Sequence, residues 1–303
     1  MFSTGSVIIT KADQEITSLD ISKVIANSEE NLDATNKKII HTIPISYKLD
    51  GKDLYARPEG LSGTKLEVKT MFVNSLKQNL EDLITSLALA KIEIEEVIAS
   101  PLITSSILLN NKQKTAGCIL VDIGSETVST VIFENNLPIS LAVFPIGSMD
   151  ITKDIALGLK ISLEEAESIK LGSVIGGDYS KKKVDEIIEA RLGDIFELVG
   201  NQLKRFKRNE LLPAGIIITG GGAAINNIEG IARASLKLPA KIGPMDYSIN
   251  NKFKVRDNSW YTALALALSD SDELSNEQSN SSISGNFKEI KKFFKSILSQ
   301  LLP

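Results

Sequence analysis

Hydrophobic and polar positions change period several times along the chain, and each change predicts an element. GSVIIT, near the start, is a short β-rich run. In SLDISKVIANSEENL, Leu19, Val24 and Ile25 recur at helical spacing, with Ser18 placed to cap the helix. KKIIHTIPISYKLDG reads as a strand ending in an Asp50-Gly51 turn, and TKLEVKTMFV alternates apolar and polar residues as a half-buried strand does. Residues 1–75 are thus expected to form a small α+β unit. SLKQNLEDLITSLALAKI predicts a helix with Leu76, Leu80, Leu83, Ile84 and Leu87 on one face. EEVIASPLITSSILL predicts a strand, a break at Pro101 and another helix. AGCILVDIG, STVIFEN and LPISLAVFPIG are β-rich runs divided by turn residues, the pattern of an antiparallel meander. MDITKDIALGL, SLEEAESIKLG and KKVDEIIEARLGDIFELVGNQLKRF are helical; PAGIIITGGGAAI is a buried strand running into a glycine loop; IEGIARASLKL and SWYTALALALS are helices.

From Ser269 the pattern stops. SDSDELSNEQSNSSISGN, residues 269–286, is acidic, Ser/Asn-rich and nearly free of large apolar groups, so it predicts a disordered linker spanning on the order of 20–25 Å. Residues 287–303 recover a period. At about 100° per residue, Phe287, Ile290, Phe293, Phe294, Ile297, Leu298, Leu301 and Leu302 fall within half the circle. Lys288, Lys291, Lys292 and Lys295 gather on one side, with Lys291 near the boundary, where it can snorkel to the rim. Such a helix, about 25 Å long, is too short and too basic to span a bilayer. It suits the headgroup plane, apolar groups sunk and lysines facing anionic lipid. A partner protein's groove is the other seat that fits it.

Composition narrows the class. The chain has 303 residues, a formal net charge of −4 and 43% hydrophobic residues. The acidic balance argues against nucleic acid as a partner. A single cysteine, Cys118, excludes a disulfide framework and reads as core; His41, the single histidine, lies in a strand and reads as structural. The start carries no signal-peptide pattern and no apolar run reaches the length of a membrane span, so the body is expected to be cytoplasmic, with peripheral membrane contact.

Candidate chemistry concentrates at two glycine turns. In VDIGSETVST, Asp122 ends a strand, Gly124 lets backbone N–H groups approach an anion, and Thr127 offers a hydroxyl. Asp122 could hold a hydrated Mg2+; the same D-x-G spacing also marks ordinary hairpins. In IIITGGGAAI, Gly220, Gly221 and Gly222 let a sugar or base lie against bare backbone; with Ile225 where a third spaced glycine would stand, neither a dinucleotide fingerprint nor a P-loop is present. Glu167 and Lys170 stand one helical turn apart, as a functional pair or a solvated ion pair.

Order and wording together resemble the FtsA family of bacterial cell-division proteins, actin-like members of the sugar kinase, Hsp70 and actin superfamily. The stretches that carry the resemblance are HTIPISYKLDG with GLSGTKLEV, SPLITSSILL, ILVDIGSETVSTVIFENN, PIGSMDITKDIALGL with SLEEAESIKLGSV, EIIEARLGDIFELV, LPAGIIITGGGAAINNIEGIA, and the basic tail after its linker. The resemblance implies an α/β, ribonuclease H-like, two-lobe fold with a small α+β inserted subdomain. Residues 1–75 would be that insert, which mediates divisome contacts; 76–115 the returning part of the first nucleotide-binding lobe; 116–150 and 212–268 the second lobe; and 151–211 its outer subdomain. Asp122, Gly124 and Thr127 would form the second phosphate turn, Gly220, Gly221 and Gly222 the adenosine loop, and Glu167 and Lys170 the ribose and adenine contacts. ATP and Mg2+ are the implied cofactors.

Two departures stand out. The family turn reads D-h-G-G-G-T-T, whereas Ser125, Glu126 and Val128 stand here, and Glu126 brings negative charge toward a phosphate position. The opening of the family's fold, with its first phosphate turn, has no counterpart, which reads as an N-terminally truncated chain with an incomplete first lobe, exposed sheet edges and half the clamp for ATP. The implied function is an adaptor that self-assembles into actin-like filaments and tethers FtsZ polymers to the cytoplasmic face of the inner membrane at the septum. Its ATPase would be slow and regulatory at most. The helix bearing Arg191, Lys204, Arg205, Lys207 and Arg208 is the expected seat of FtsZ's acidic tail peptide. A pilus-assembly adaptor and a chaperone- or sugar-kinase-like ATPase are the alternatives on the same fold.

Overall fold

The computed structural model describes residues 1–54, 56–172, 179–243, 247–249, 253–255 and 257–270. The chain divides into two units, Met1–Ala99 and a second beginning at Ser100.

The first unit runs β1 (Phe2–Ile8), α1 (Ser18–Glu30), β2 (Lys37–Leu49), β3 (Lys52–Leu54), β4 (Lys65–Leu76) and α2 (Lys77–Leu89). Its sheet is antiparallel, in the order β1-β4-β2-β3. Asp50 and Gly51, at φ 50° and 81°, supply the left-handed pair that a two-residue hairpin turn requires, and Leu49 pairs with Lys52 across it. Ile21 and Val24 of α1 pack with Ile9, Ile16, Leu66 and Val68. The helix can approach β1 because Gly5 lacks a side chain; a Cβ there would stand 2.2 Å from the Val24 carbonyl oxygen. The cap of α1 is Thr17, not Ser18: the Asp20 carboxylate accepts the Thr17 amide at 3.0 Å and its hydroxyl at 2.6 Å. Only Leu80 of α2 is buried, and Leu83 and Ile84 are exposed.

The second unit runs α3 (Ser100–Leu108), α4 (Asn111–Ala116), β5 (Cys118–Ile123), β6 (Val128–Glu134), β7 (Leu137–Phe144), α5 (Ser148–Leu159), α6 (Leu163–Lys170), α7 (Lys181–Arg205), β8 (Ile216–Thr219), α8 (Ile228–Leu236), β9 (Ala240–Ile242), β10 (Tyr247–Ile249), β11 (Phe253–Val255) and α9 (Tyr261–Asp270). The five-stranded sheet has the order β7-β6-β5-β8-β9. The meander β5–β6–β7 is antiparallel, and β5, β8 and β9 are parallel because helices fill the connections between them. Buried on both faces, β5 and β8 read as continuous apolar runs. On one face Ile119, Val121, Ile123, Ile216 and Ile218 pack with Ile151 and Ile155 of α5 and Leu192, Phe196 and Val199 of α7. Each such fully buried side chain contributes about 1.5–3 kcal/mol. Alternation turns Leu120, Asp122, Ile217 and Thr219 to the other face. There α3 packs on β5 and β6 and pairs with α9, joined by the Thr104 and Thr262 hydroxyls at 2.8 Å.

Three expectations change. No strand forms over residues 92–99, and Pro101 lies in the first turn of α3, where its missing N–H costs nothing, rather than breaking an element. Ser269 and Asp270, assigned to the linker, close α9. The linker from residue 271 and the terminal helix 287–303 lie outside the described residues. Among the described residues no helix is long and apolar enough to cross a membrane.

Candidate functional site

Asp122 and Thr219 are register partners at the C-terminal ends of parallel β5 and β8, the end at which open α/β sheets take ligands. Beyond Asp122 the chain turns sharply: the Gly124 amide donates to the Thr127 carbonyl at 2.9 Å, and Ser125, Glu126 and Thr127 are exposed. Beyond Thr219, Gly220 takes φ 86° and ψ 171° and opens a 3-10 turn over Gly221–Ala224. The two turns rest against each other. A Cβ on Gly220 would stand 2.3 Å from Asp122 Oδ1 and 2.4 Å from the Ile123 carbonyl oxygen, and one on Gly222 would stand 2.4 Å from Ile123 Cγ2. The structure therefore brings Asp122, Gly124 and Thr127 together with Gly220, Gly221 and Gly222.

The Asp122 carboxylate makes no hydrogen bond or ion pair among the described residues, and burial raises its carboxyl above the usual range. Two further polar atoms are buried there without a partner among the described residues, Thr219 Oγ1 and Asn258 Oδ1. Asn258 precedes Ser259, whose Cβ lies 3.9 Å from the Cβ position of Gly221. Sequence reasoning missed both. A hydroxyl closing the apolar run IIIT is the one signal for Thr219; Asn258 has none.

Helix α5 begins on the first turn. The Ser148 and Met149 amides donate to the Gly124 and Ser125 carbonyls at 2.9 and 2.8 Å, and the Gly147 amide donates to Asp150 Oδ2 at 2.9 Å. These amides are spent inside the protein, so an anion at this site would meet the turn itself. Lys170, 6% exposed, points inward from α6, donating to the Ser148 carbonyl at 3.1 Å and to Thr152 Oγ1 at 2.8 Å. It pairs with Glu167 Oε2 at 2.7 Å. Of the expected ribose and adenine contacts, Lys170 is thus occupied internally, and the partly exposed Glu167 is left to face a ligand. Burial pushes the Glu167 carboxyl up, but hydrogen bonds from Lys170 and Thr152 and the lysine charge outweigh it and hold it below its ordinary value. The end of α6 lies near the loop that follows the glycine turn, with Asn226 Nδ2 4.0 Å from the Cβ position of Gly172.

Helix α7 ends at Arg205, so Lys207 and Arg208, expected on the same helix, lie beyond it, Lys207 with a left-handed φ of 56°, and the basic face is smaller than its residue types suggest. Arg191 grips Asp154 of α5 through Nε at 2.6 Å and a second nitrogen at 3.0 Å. Arg208 holds Glu134 of β6 at 2.7 and 3.0 Å. Lys204, Arg205 and Lys207 are exposed. Beside Lys204 a groove of about 200 Å³ opens between α7 and α8, floored by Phe196, Leu203 and Leu236 and widened by Gly193 and Gly200. The residues expected to face a membrane, Phe287, Lys288, Ile290, Lys291, Lys292, Phe293, Phe294, Lys295, Ile297, Leu298 and Leu301, lie outside the described residues.

A magnesium nucleotide fits what is present. Bare glycine backbone accepts a sugar or base, the turn offers amides, and Asp122 is an unpaired carboxylate. Magnesium commonly takes one or two carboxylates, with phosphate and water completing its shell. Among the described residues no cluster of three or more His, Cys, Asp or Glu could form an all-protein metal cage.

Comparison with known proteins gives this arrangement a lineage. Residues 119–265 match the family model "Cell division protein FtsA", and residues 2–74 match "SHS2 domain inserted in FTSA". The FtsA of Bacillus subtilis (strain 168) is 29% identical over 285 residues, covering 87% of this chain and 63% of that protein. The FtsA of Pseudomonas aeruginosa is 28% identical over 279 residues, covering 84% of this chain and 66% of that protein. The chain thus spans slightly under two thirds of the length of these relatives. Among solved structures, a PilM–PilN type IV pilus biogenesis complex matches with TM-score 0.59 at 16% identity, covering 88% of this chain and 75% of that one. MreB 5 of Spiroplasma citri bound to AMPPNP matches with TM-score 0.54 at 16% identity, covering 73% and 68%. The fold is actin-like, and with two models of one family matching successive stretches and its relatives aligning across most of its length, this chain belongs to the FtsA family of cell-division proteins.

Proposed function

We propose that the chain is a cell-division adaptor that binds ATP with Mg2+, self-associates, and tethers FtsZ polymers to the cytoplasmic face of the inner membrane at the septum. The observation that carries the reading is the order of its parts: an FtsA-type insert, then a lobe in which two glycine turns meet over an unpaired Asp122, then a basic amphipathic tail. Asp122, Gly124, Thr127 and Gly220–Gly222 would hold the phosphates, metal and nucleoside, with Glu167 at the ribose or base. When bound, the metal would neutralise phosphate charge. Support for a nucleotide comes from the like-folded MreB 5, whose structure carries AMPPNP. Any hydrolysis would be slow and regulatory.

The tail sets the physics of attachment. Each of its four lysines, Lys288, Lys291, Lys292 and Lys295, contributes roughly 1 kcal/mol at an anionic surface. Folding an isolated short helix costs part of that gain. One tail therefore binds weakly, and firm attachment follows from several tails on one assembly. FtsZ's acidic tail peptide would seat on Lys204, Arg205 and Lys207, with an apolar anchor in the neighbouring groove. Other divisome proteins would meet residues 1–75.

Co-sedimentation tests the reading. Full-length chain should pellet with vesicles rich in anionic lipid and carry FtsZ polymers down with it. Chain lacking residues 287–303 should leave FtsZ in the supernatant. Equal recovery with and without the tail, or no FtsZ in either pellet, would defeat the proposal.

A further inference from the structure

One buried hydroxyl stands between the two halves of the candidate site. Thr152, on the second turn of α5, is 1% exposed. Its Oγ1 donates to Glu167 Oε2 at 2.5 Å and accepts from Lys170 Nζ at 2.8 Å. Lys170 also reaches the Ser148 carbonyl at 3.1 Å. The amides of Ser148 and Met149 in turn hold the Gly124 and Ser125 carbonyls. Gly147 permits that contact, since a Cβ on it would stand 2.2 Å from the Ser125 carbonyl oxygen. An unbroken chain of hydrogen bonds therefore runs from the partly exposed carboxylate on α6, through Thr152 and Lys170, which also meets Glu167 Oε2 directly at 2.7 Å, and the first turn of α5, to the turn beyond Asp122. Thr152, Lys170 and Ser148 are buried, so water competes poorly for the bonds they make and their geometry is sharply defined.

We propose that Thr152 is a positioning residue that fixes the spacing between Glu167 and the Gly124–Thr127 turn. Resting on the nucleotide reading, the consequence is cooperativity within one ligand. The group held by Glu167, a ribose or base, and the phosphates held by the turn are bound more tightly together than their separate affinities predict. Thr152 touches neither. It acts because a hydroxyl can accept from an ammonium and donate to a carboxylate at once, which neither valine nor alanine can do. The buried hydroxyl of Thr130 is the natural comparison. It bridges β6 to Gln202 at 2.7 Å, and Gln202 reaches Ser140 at 2.9 Å, in a network that does not include the turn.

The experiment uses the full chain and four variants: Thr152→Val, Thr152→Ser, Glu167→Gln and Thr130→Val. Amide hydrogen exchange without ligand reads the tie directly. Thr152→Val is expected to lower protection at Ser148 and Met149 by about tenfold, the equivalent of one lost buried hydrogen bond. Thr152→Ser should restore it and Thr130→Val should leave it unchanged. Should the valine variant not fold, Glu167→Gln, altered at a partly exposed site, should lower the same two amides. With Mg2+ present, calorimetric titration with adenosine, inorganic triphosphate and ATP reads the cooperativity. Thr152→Val should reduce the ATP affinity by about tenfold while changing the two fragments by less than about twofold. Unchanged protection at Ser148 and Met149 overturns the proposal, and so does an equal loss in Thr130→Val. Wild-type chain that fails to bind ATP while the exchange effect persists supports the tie and defeats the nucleotide reading instead.

Discussion

Gly220→Ala tests the geometry of the site most severely. Gly220 sits at φ 86° and ψ 171°, a region essentially reserved for glycine. Holding alanine there costs about 1–3 kcal/mol in backbone strain. The new methyl would also meet Asp122 Oδ1 at 2.3 Å and the Ile123 carbonyl oxygen at 2.4 Å. The carboxyl can rotate aside, but the carbonyl belongs to the end of β5, so relief requires β5 and β8 to separate at the Asp122–Thr219 pair. Overpacking of that kind costs a further 1–3 kcal/mol or so. The expected loss is about 4 kcal/mol, a large share of the roughly 5–15 kcal/mol that holds a domain folded. For a domain of this size it corresponds to a fall in Tm of about 8–16 °C. Gly193→Ala is the control. Nothing lies within 4 Å of its Cβ position in the interior of α7, so alanine there should add about 0.5–1 kcal/mol. Thermal melts followed by far-ultraviolet circular dichroism separate the two. A Gly220→Ala protein within about 0.5 kcal/mol of wild type, the scatter expected of an inconsequential surface change, would refute the claim that the two turns are in contact.

The remaining predictions concern charge. Asp122 has a folded-state pKa above its ordinary 3.8, so the stability linked to its protonated form is complete below 3.8 and is lost as pH rises through the folded value; Asp122→Asn should therefore melt higher than wild type at pH 7, by a margin that narrows toward pH 4, while losing Mg2+-dependent nucleotide affinity. His41, whose Nε2 accepts the Ala99 amide at 3.0 Å, is pushed by burial from 6.5 down to about 4, so the unfolded chain takes up the proton first; stability should fall between pH 6.5 and 4 by at most about 3 kcal/mol, and His41→Gln should flatten that slope in pH-dependent urea melts. Reversing Lys204, Arg205 and Lys207 together to glutamate should abolish capture of FtsZ's tail peptide in fluorescence anisotropy while leaving Tm nearly unchanged, since all three are exposed; unaltered capture would move the docking face elsewhere.

Local pattern determined much of this protein. The apolar spacing of α7, the meander β5–β6–β7, the Asp50-Gly51 hairpin and the two glycine turns are all written in short windows, because backbone periodicity and positive φ are properties of neighbouring residues. Pattern failed where pairing decides. EEVIAS has strand composition but finds no sheet edge, while the three-residue β9 is a strand only because β8 lies beside it. The candidate site divides the same way. Its glycines and Asp122 are conspicuous along the chain, but their contact exists only because β5 and β8 pair in parallel and bring distant residues to one sheet end. Likewise residue type alone makes Arg191, Arg208 and Lys170 look available. The folded chain commits them to Asp154, to Glu134 and to the Thr152 cluster. A charge's neighbours are set by packing across the fold, and those long-range contacts leave no period in the sequence to read.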